Sequence, residues 1–226
     1  MKIQRLQLFT SAIESLQHFY TNVLELPLLE SRHNRFALKV GHSYLQFIQQ
    51  EDALPPAQYH FAFNIPANQI DNAAQWLQEK NIDLMQYEGN TIIDFPNWKA
   101  KALYFLDPAG NVVEMIARQD VSNAHTPFNA NSLYSISEIG LPVPQIAPFF
   151  SQLQQSTEVE LYSHISNTDT FCAAGSPEGL FIIVPLERKW FPSDIINQIC
   201  PLQVEVEGLK KAQLHWQELG YSIISV

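Results

Sequence analysis

The sequence predicts an α+β fold made of tandem β-α-β-β-β units. Three observations carry this expectation. Alternating polar and apolar residues give way to apolar residues at helical spacing and then return to strand-like runs. That order restarts along the chain, the mark of a fold that stacks copies of one supersecondary unit. Finally, 46% hydrophobic residues over 226 positions are enough for a substantial core.

In the first unit "KIQRLQLF" alternates as a half-buried strand does, and "SAIESLQHFYTNVLEL" sets Ile13, Leu16, Phe19, Tyr20, Val23 and Leu24 at helical spacing. The strands "RFALKV" and "SYLQFIQ" follow around the turn "GH", and "EDALPPAQ" is a breaker-rich connection. The second unit offers "YHFAFNIP" as a strand, "NQIDNAAQWLQEKNI" as a helix, and "IDLMQYE", "KALYFLD" and "NVVEMIA" as strands. A polar stretch without periodicity, "RQDVSNAHTPFNANS", marks a linker. Beyond it come the strand "SISEIGLPV", the helix "PQIAPFFSQLQ" despite Pro148, and the strand pair "TFCAAGS" and "GLFIIVP". The third unit overlays the first without a gap, Ile139 on Leu6, Leu141 on Leu8, Ile146 on Ile13 and Phe149 on Leu16. A fourth unit has "LQVEVEG" as a strand, "LKKAQLHWQELGY" as a helix and "SIISV" as a last strand. The expected organisation is a two-unit domain with the working site over residues 1–120, a linker over 121–132, and a degenerate second pair over 133–226 whose last unit is truncated.

Charge and composition narrow the function. Thirteen basic against 23 acidic residues give a net charge of −10, and no stretch gathers Lys and Arg into a stripe, which argues against nucleic acid and anionic membranes as partners. "MKIQRLQLFT" has no signal-peptide apolar block, and no window approaches the roughly 18 apolar residues of a membrane span, so a cytoplasmic location is expected. Cys172 and Cys200 lack a C-x-x-C spacing and are expected to be reduced core thiols. No G-x-S-x-G, P-loop or dinucleotide fingerprint is present, and "AAGSPEG" lacks the lysine of a phosphate cradle.

The stretch "ALYFLDPAGNVVEMI" raises a chemical question, because Glu114 stands among Val112, Val113, Met115 and Ile116. An ionised carboxylate in such a strand needs a partner, a metal ion or open water. The tandem units, "FYTNVLEL" closing a strand-helix pair, and the hairpin "FLDPAGNVVEM" together resemble the vicinal oxygen chelate superfamily. That superfamily includes glyoxalase I, extradiol dioxygenases, fosfomycin-resistance enzymes and bleomycin-resistance binding proteins. In "DPAGN", Asp107, Pro108, Gly110 and Asn111 supply turn chemistry that fixes where Glu114 points.

The resemblance implies a cup formed by two units, with a divalent metal held by residues on their first and last strands. Carried over by position these are Arg5, Gln46, His60 and Glu114. Strand alternation lets one polar residue per strand face a common cup. His60, Glu114 and Gln46 suit Zn, Ni, Mn, Co or Fe(II). Arg5 departs from the pattern, because a guanidinium has no lone pair to donate.

Three readings stay open at this point. In one, a metal on His60, Glu114 and Gln46 acts as Lewis acid on a small oxygen-rich or anionic substrate, Arg5 binds that substrate and Glu114 moves protons: a lyase, isomerase or oxygenase. In another, Arg5 pairs with Glu114 and the cup is a metal-free binding site for a small molecule, as in the bleomycin-resistance type. In the third, the four residues are structural. Trp98 and Tyr104 are candidates for contact with substrate, with Tyr87 and Glu88 behind them. His18, His33, His42, His125, His164 and His215 are expected to be solvated. The second half is expected to hold no site, since Glu138 stands where Arg5 does, Pro201 where His60 does and an Ile of "LFII" where Gln46 does. It would instead cover the first half or form a homodimer surface.

Overall fold

A computed structural model describes residues 1–50, 55–162 and 168–226. Residues 51–54 of the expected "EDALPPAQ" connection, and His164, lie outside the described residues. The first stretch of chain runs β1 (Lys2–Thr10), α1 (Ile13–His18), β2 (Leu28–Arg32), β3 (Arg35–Val40) and β4 (Ser43–Gln49). The helical periodicity of "SAIESLQHFYTNVLEL" continues past α1 as a π-turn over Phe19–Val23 that buries Tyr20. Next come β5 (His60–Ile65), α2 (Ile70–Glu79), β6 (Ile93–Phe95), β7 (Ala100–Leu106) and β8 (Val112–Arg118). Then follow β9 (Ser135–Val143), α3 (Ile146–Thr157), β10 (Cys172–Ser176), β11 (Gly179–Pro185), β12 (Leu202–Glu207), β13 (Ala212–Trp216) and β14 (Tyr221–Ser225). Pro148 is tolerated because it sits in the first turn of α3, where backbone N–H groups have no helical acceptor.

Two local expectations are corrected. "LKKAQLHWQELGY" is the strand β13 and a turn: Leu214 pairs with Ile223 and Trp216 with Tyr221. Its Trp216 packs on Phe149 of α3 at a centroid distance of 4.5 Å, so contact with a helix already in place outweighs the sequence's helical spacing. "IDLMQYE" makes only isolated bridges, at Leu84 and Tyr87, and the strand that pairs with β7 is the later, three-residue β6.

The association of the units is the larger correction. Residues 1–120 do not close on themselves. β1 pairs antiparallel with β12, which joins the first unit to the fourth, and β5 pairs antiparallel with β9, which joins the second to the third. One half of the sheet therefore runs β2-β3-β4-β1-β12-β14-β13 and the other β6-β7-β8-β5-β9-β11-β10. They meet where Ile3 of β1 pairs with Ile136 of β9. Ser43 seals that junction: its hydroxyl donates to the Ile3 carbonyl at 2.6 Å and accepts from the Ile136 N–H at 2.9 Å. The main core lies against the helices, and a smaller apolar cluster around Ala62, Ala102, Ile116 and Ile182 lines the concave face of the second half. Among the described residues no helix is long and apolar enough to cross a membrane. Cys172 and Cys200 are free and buried.

The "DPAGN" turn has a long-range task. Asp107 accepts hydrogen bonds from the Ala109 and Asn111 N–H groups, both at 3.0 Å, and from the Asn111 amide and Tyr20 hydroxyl, both at 2.8 Å. Burial pushes its carboxyl from an ordinary 3.8 up to about 6, against the pull of those bonds. Folded protein therefore binds this proton more tightly than unfolded chain does. The resulting stabilisation is complete below the unfolded value and is lost as pH rises through the folded one. From pH 5 to pH 8 wild type should lose about 1.4 kcal/mol relative to Asp107→Asn, roughly the free energy of one pKa unit. Urea denaturation of both proteins across that range checks it; a difference that stays constant with pH contradicts it.

Candidate active site

The second half of the sheet brings three ligand-type side chains together. In the β5–β8 ladder Ala62 lies opposite Glu114, and in the β5–β9 ladder it lies opposite Glu138. Two carboxylates thus flank one small, fully buried alanine, with His60 two residues earlier on the same face of β5. Nitrogen and oxygen atoms of His60, Glu114 and Glu138 all lie within 4.8 Å of one another, and all three residues are buried.

Electrostatics sets their protonation. Burial lowers His60 from 6.5 to about 4, so its imidazole is neutral. Its Nδ1 lies 3.0 Å from the Val112 carbonyl oxygen, which can only accept; Nδ1 carries the proton and Nε2 keeps its lone pair. Nε2 is 3.6 Å from Glu114 Oε2, beyond hydrogen-bond range. Burial raises the Glu114 carboxyl well above the ordinary range, and the charge of Glu138 adds to this, while Arg118 and a hydrogen bond from the Tyr104 hydroxyl oppose it. Burial also raises Glu138, against the ion pair it makes with Arg118. Arg118 is 1% exposed and its guanidinium lies 5.4 Å from the Trp98 ring centroid and 5.5 Å from that of Tyr162. Its Nε and Nη1 have no hydrogen-bond partner among the described residues.

These residues open into a cavity of about 480 Å³ lined by His60, Trp98, Tyr104, Glu114, Glu138 and Trp190, among others. The donor set fits a divalent metal. One imidazole nitrogen and two carboxylate oxygens suit Zn, Mn, Fe(II), Co or Ni, and a ligating histidine whose other nitrogen donates to a backbone carbonyl is the usual arrangement. Ile182 of β11 also lines the cavity and offers no ligand, so His60, Glu114 and Glu138 would be the ligands of a metal held there and would leave positions for water or substrate.

Of the residues singled out from sequence, His60, Glu114, Tyr104 and Trp98 meet at this cavity, whereas Arg5 and Gln46 lie in the other half of the sheet. Arg5 is exposed on β1, 5.6 Å from the Tyr44 ring centroid and opposite Glu205 of β12. Gln46 is buried on β4 beside Gln7. An arginine–carboxylate pair does form, but between Arg118 and Glu138. Tyr87 reaches the mouth of the cavity through the Phe191 ring at 4.8 Å, and Glu88 is exposed. His18, His33, His42, His125 and His215 are exposed.

Glu138 and Arg118 are the residues that sequence reasoning missed, and the second half thus contributes to the site it was expected only to cover. A signal for Glu138 exists: an acid in "SISEIGLPV" poses the same question as Glu114. Arg118 sits four residues after Glu114, on the same face of β8.

Comparison with known proteins gives this geometry its context. The family model described as Glyoxalase/Bleomycin resistance protein/Dioxygenase superfamily matches residues 2–115. No curated protein matches the chain in sequence. A Bacillus subtilis protein provisionally named a dioxygenase superposes with a TM-score of 0.66 at 12% identity, covering 100% of this chain and 85% of its own. Lactoylglutathione lyase from Agrobacterium tumefaciens aligns at 20% identity over 50% of this chain and 91% of its own, with a TM-score of 0.43. A Listeria monocytogenes fosfomycin resistance protein complexed with Mn(II) aligns at 12% identity over 53% and 91%, with a TM-score of 0.41.

Proposed function

The chain belongs to the Glyoxalase/Bleomycin resistance protein/Dioxygenase superfamily, and from that premise we propose that it is a metal-dependent lyase, isomerase or oxygenase acting on a small oxygen-rich molecule. The observation that carries this reading is the convergence of His60, Glu114 and Glu138 at the floor of one cavity, with the lone pair of His60 Nε2 left free. A metal bound there would supply Lewis acidity toward substrate oxygen. The protein's own groups do the rest. Arg118 holds Glu138 in place and Tyr104 donates to Glu114. Burial raises the Glu114 carboxyl, so Glu114 is the group assigned to take up and return a proton whenever it is not ligating the metal, which it can hold only as the ionised carboxylate.

A metal-free binding protein is the second reading, and the Arg118–Glu138 pair favours it, because a guanidinium already places a cation beside one of the carboxylates. Metal analysis separates the two. Protein purified after growth with Zn, Ni, Mn and Fe should hold a stoichiometric divalent ion. His60→Ala should weaken its affinity on the order of 100-fold or more, beyond the 10–100-fold typical of outer-shell changes. Arg5→Ala and Gln46→Ala should leave it unchanged. Absence of stoichiometric metal from native protein removes the enzyme reading.

A further inference from the structure

The connection from β11 to β12 roofs the cavity and gives it a distinct chemical character. The bridge between Lys189 and Ile196, and the Asn197 N–H donating to the Arg188 carbonyl at 2.8 Å, fold this segment back on itself. Trp190 is thereby laid against His60, with ring centroids 5.1 Å apart. Gly140 of β9 makes this contact possible: a Cβ there would come within 2.5 Å of the Trp190 ring. Trp190 is 4% exposed and its indole N–H has no partner among the described residues. A buried donor without an acceptor calls for a ligand or an ordered water.

The remaining walls are also flat. Phe95, Trp98, Tyr104, Phe171 and Phe191 line the cavity with Trp190, and Phe191 meets Tyr104 and Phe95 edge-on, at 5.9 Å in both cases. Charge is divided along the cavity's length. Carboxylates occupy the floor, whereas Arg188 and Lys189 of the roof segment are exposed cations in the lining. Lys189 is spoken for by Asp194 at 2.6 Å. Arg188 donates to the Thr170 carbonyl at 3.0 Å and lies 5.3 Å from the Phe171 ring centroid, and it has no carboxylate partner among the described residues.

We infer that the cavity selects a planar aromatic anion, its rings held between Trp190 and the facing aromatic walls and its negative group beside Arg188. Ring edges and faces reward a flat π-system over a saturated one of equal size, and a guanidinium rewards a carboxylate over a neutral group. This deepens the proposed function and rests on the same cavity, but it does not depend on a metal being bound.

Calorimetric titration with three probes tests it: naphthoate, its saturated analogue perhydronaphthoate, and the uncharged naphthalenemethanol. Each titration is run on wild-type protein with chelator and with added Zn or Mn, so that a failure of metal binding is recorded separately from a failure of ligand selection. Naphthoate should bind about ten-fold or more tighter than either alternative, a preference of the size that one good aromatic or charge-assisted contact supplies. Arg188→Gln, a change at an exposed position, should weaken naphthoate about five- to ten-fold and leave naphthalenemethanol unaffected. Trp190→Leu should shrink the preference for naphthoate over perhydronaphthoate. Equal affinity for naphthoate and either alternative, or an Arg188→Gln variant that binds naphthoate as wild type does, overturns the inference.

Discussion

Replacing Arg118 by methionine should lower the free energy of unfolding by about 3–5 kcal/mol at neutral pH. The size follows from what is left behind. Arg118 and Glu138 are 1% and 4% exposed, so water cannot reach in to solvate a lone carboxylate. Removing the guanidinium takes away the charge that opposes the upward push of burial on the Glu138 carboxyl, and vacates the space beside the Trp98 and Tyr162 rings. A buried ion pair adds little to stability relative to a well-packed apolar pair, but breaking one from a single side is costly. Arg118→Met combined with Glu138→Leu should therefore recover most of the loss, and the coupling between the two sites should be large because they touch. Urea denaturation of the two single variants and the double variant closes the cycle. If Arg118→Met costs under about 1 kcal/mol, the pair is not a buried, mutually dependent unit.

Gly41→Ala should be similarly damaging, at roughly 2–5 kcal/mol, the sum of left-handed backbone strain and forced repacking. Gly41 turns the chain between β3 and β4 with φ of 52°, and a Cβ there would fall 1.8 Å from the Tyr134 carbonyl oxygen. That oxygen accepts from the His42 N–H at 2.7 Å, so the clash would also break a bond between the β3–β4 turn and the entry to β9. Gly89 provides the control. Its φ is 81°, yet no atom lies within 4 Å of where a Cβ would stand, and Gly89→Ala should show the backbone strain alone, about 1–2 kcal/mol. Equal losses at the two glycines would mean that the approach of Tyr134 contributes nothing.

Gly41 also shows where sequence reasoning stops. The dipeptide "GH" between two apolar runs announces a hairpin, and the hairpin is there. Nothing local announces that the glycine is needed because the approach to a strand nearly a hundred residues later passes over it. Glu114 and His60 are legible for the complementary reason. Each is a polar residue in a strand whose other positions are largely apolar, and burial of such a group demands a partner whatever the fold. Glu138 raises the same demand, but an expectation that its unit pairs elsewhere hides it. The strand β13 reads as a helix because Leu209, Ala212, Trp216 and Leu219 fall at helical spacing while Leu214 and Trp216 alternate as in a strand, and so short a pattern cannot settle the choice.

By itself the sequence determined the order of strands and helices through most of the chain, the turn that aims Glu114, and the two polar side chains of the second unit that needed partners. Those features depend on dihedral preferences and on which face of each element is apolar, and such information is local. Only the tertiary structure decided that the first unit pairs with the fourth and the second with the third, and so that Glu138, with its partner Arg118, and Trp190 gather at the cavity of His60 and Glu114 while Arg5 and Gln46 lie in the other half of the sheet. The physical reason is that alternation specifies which face of a strand is buried but not which neighbour takes its edge: backbone N–H and C=O groups are the same in every strand, and the choice among equivalent edges is made by the packing of the whole chain.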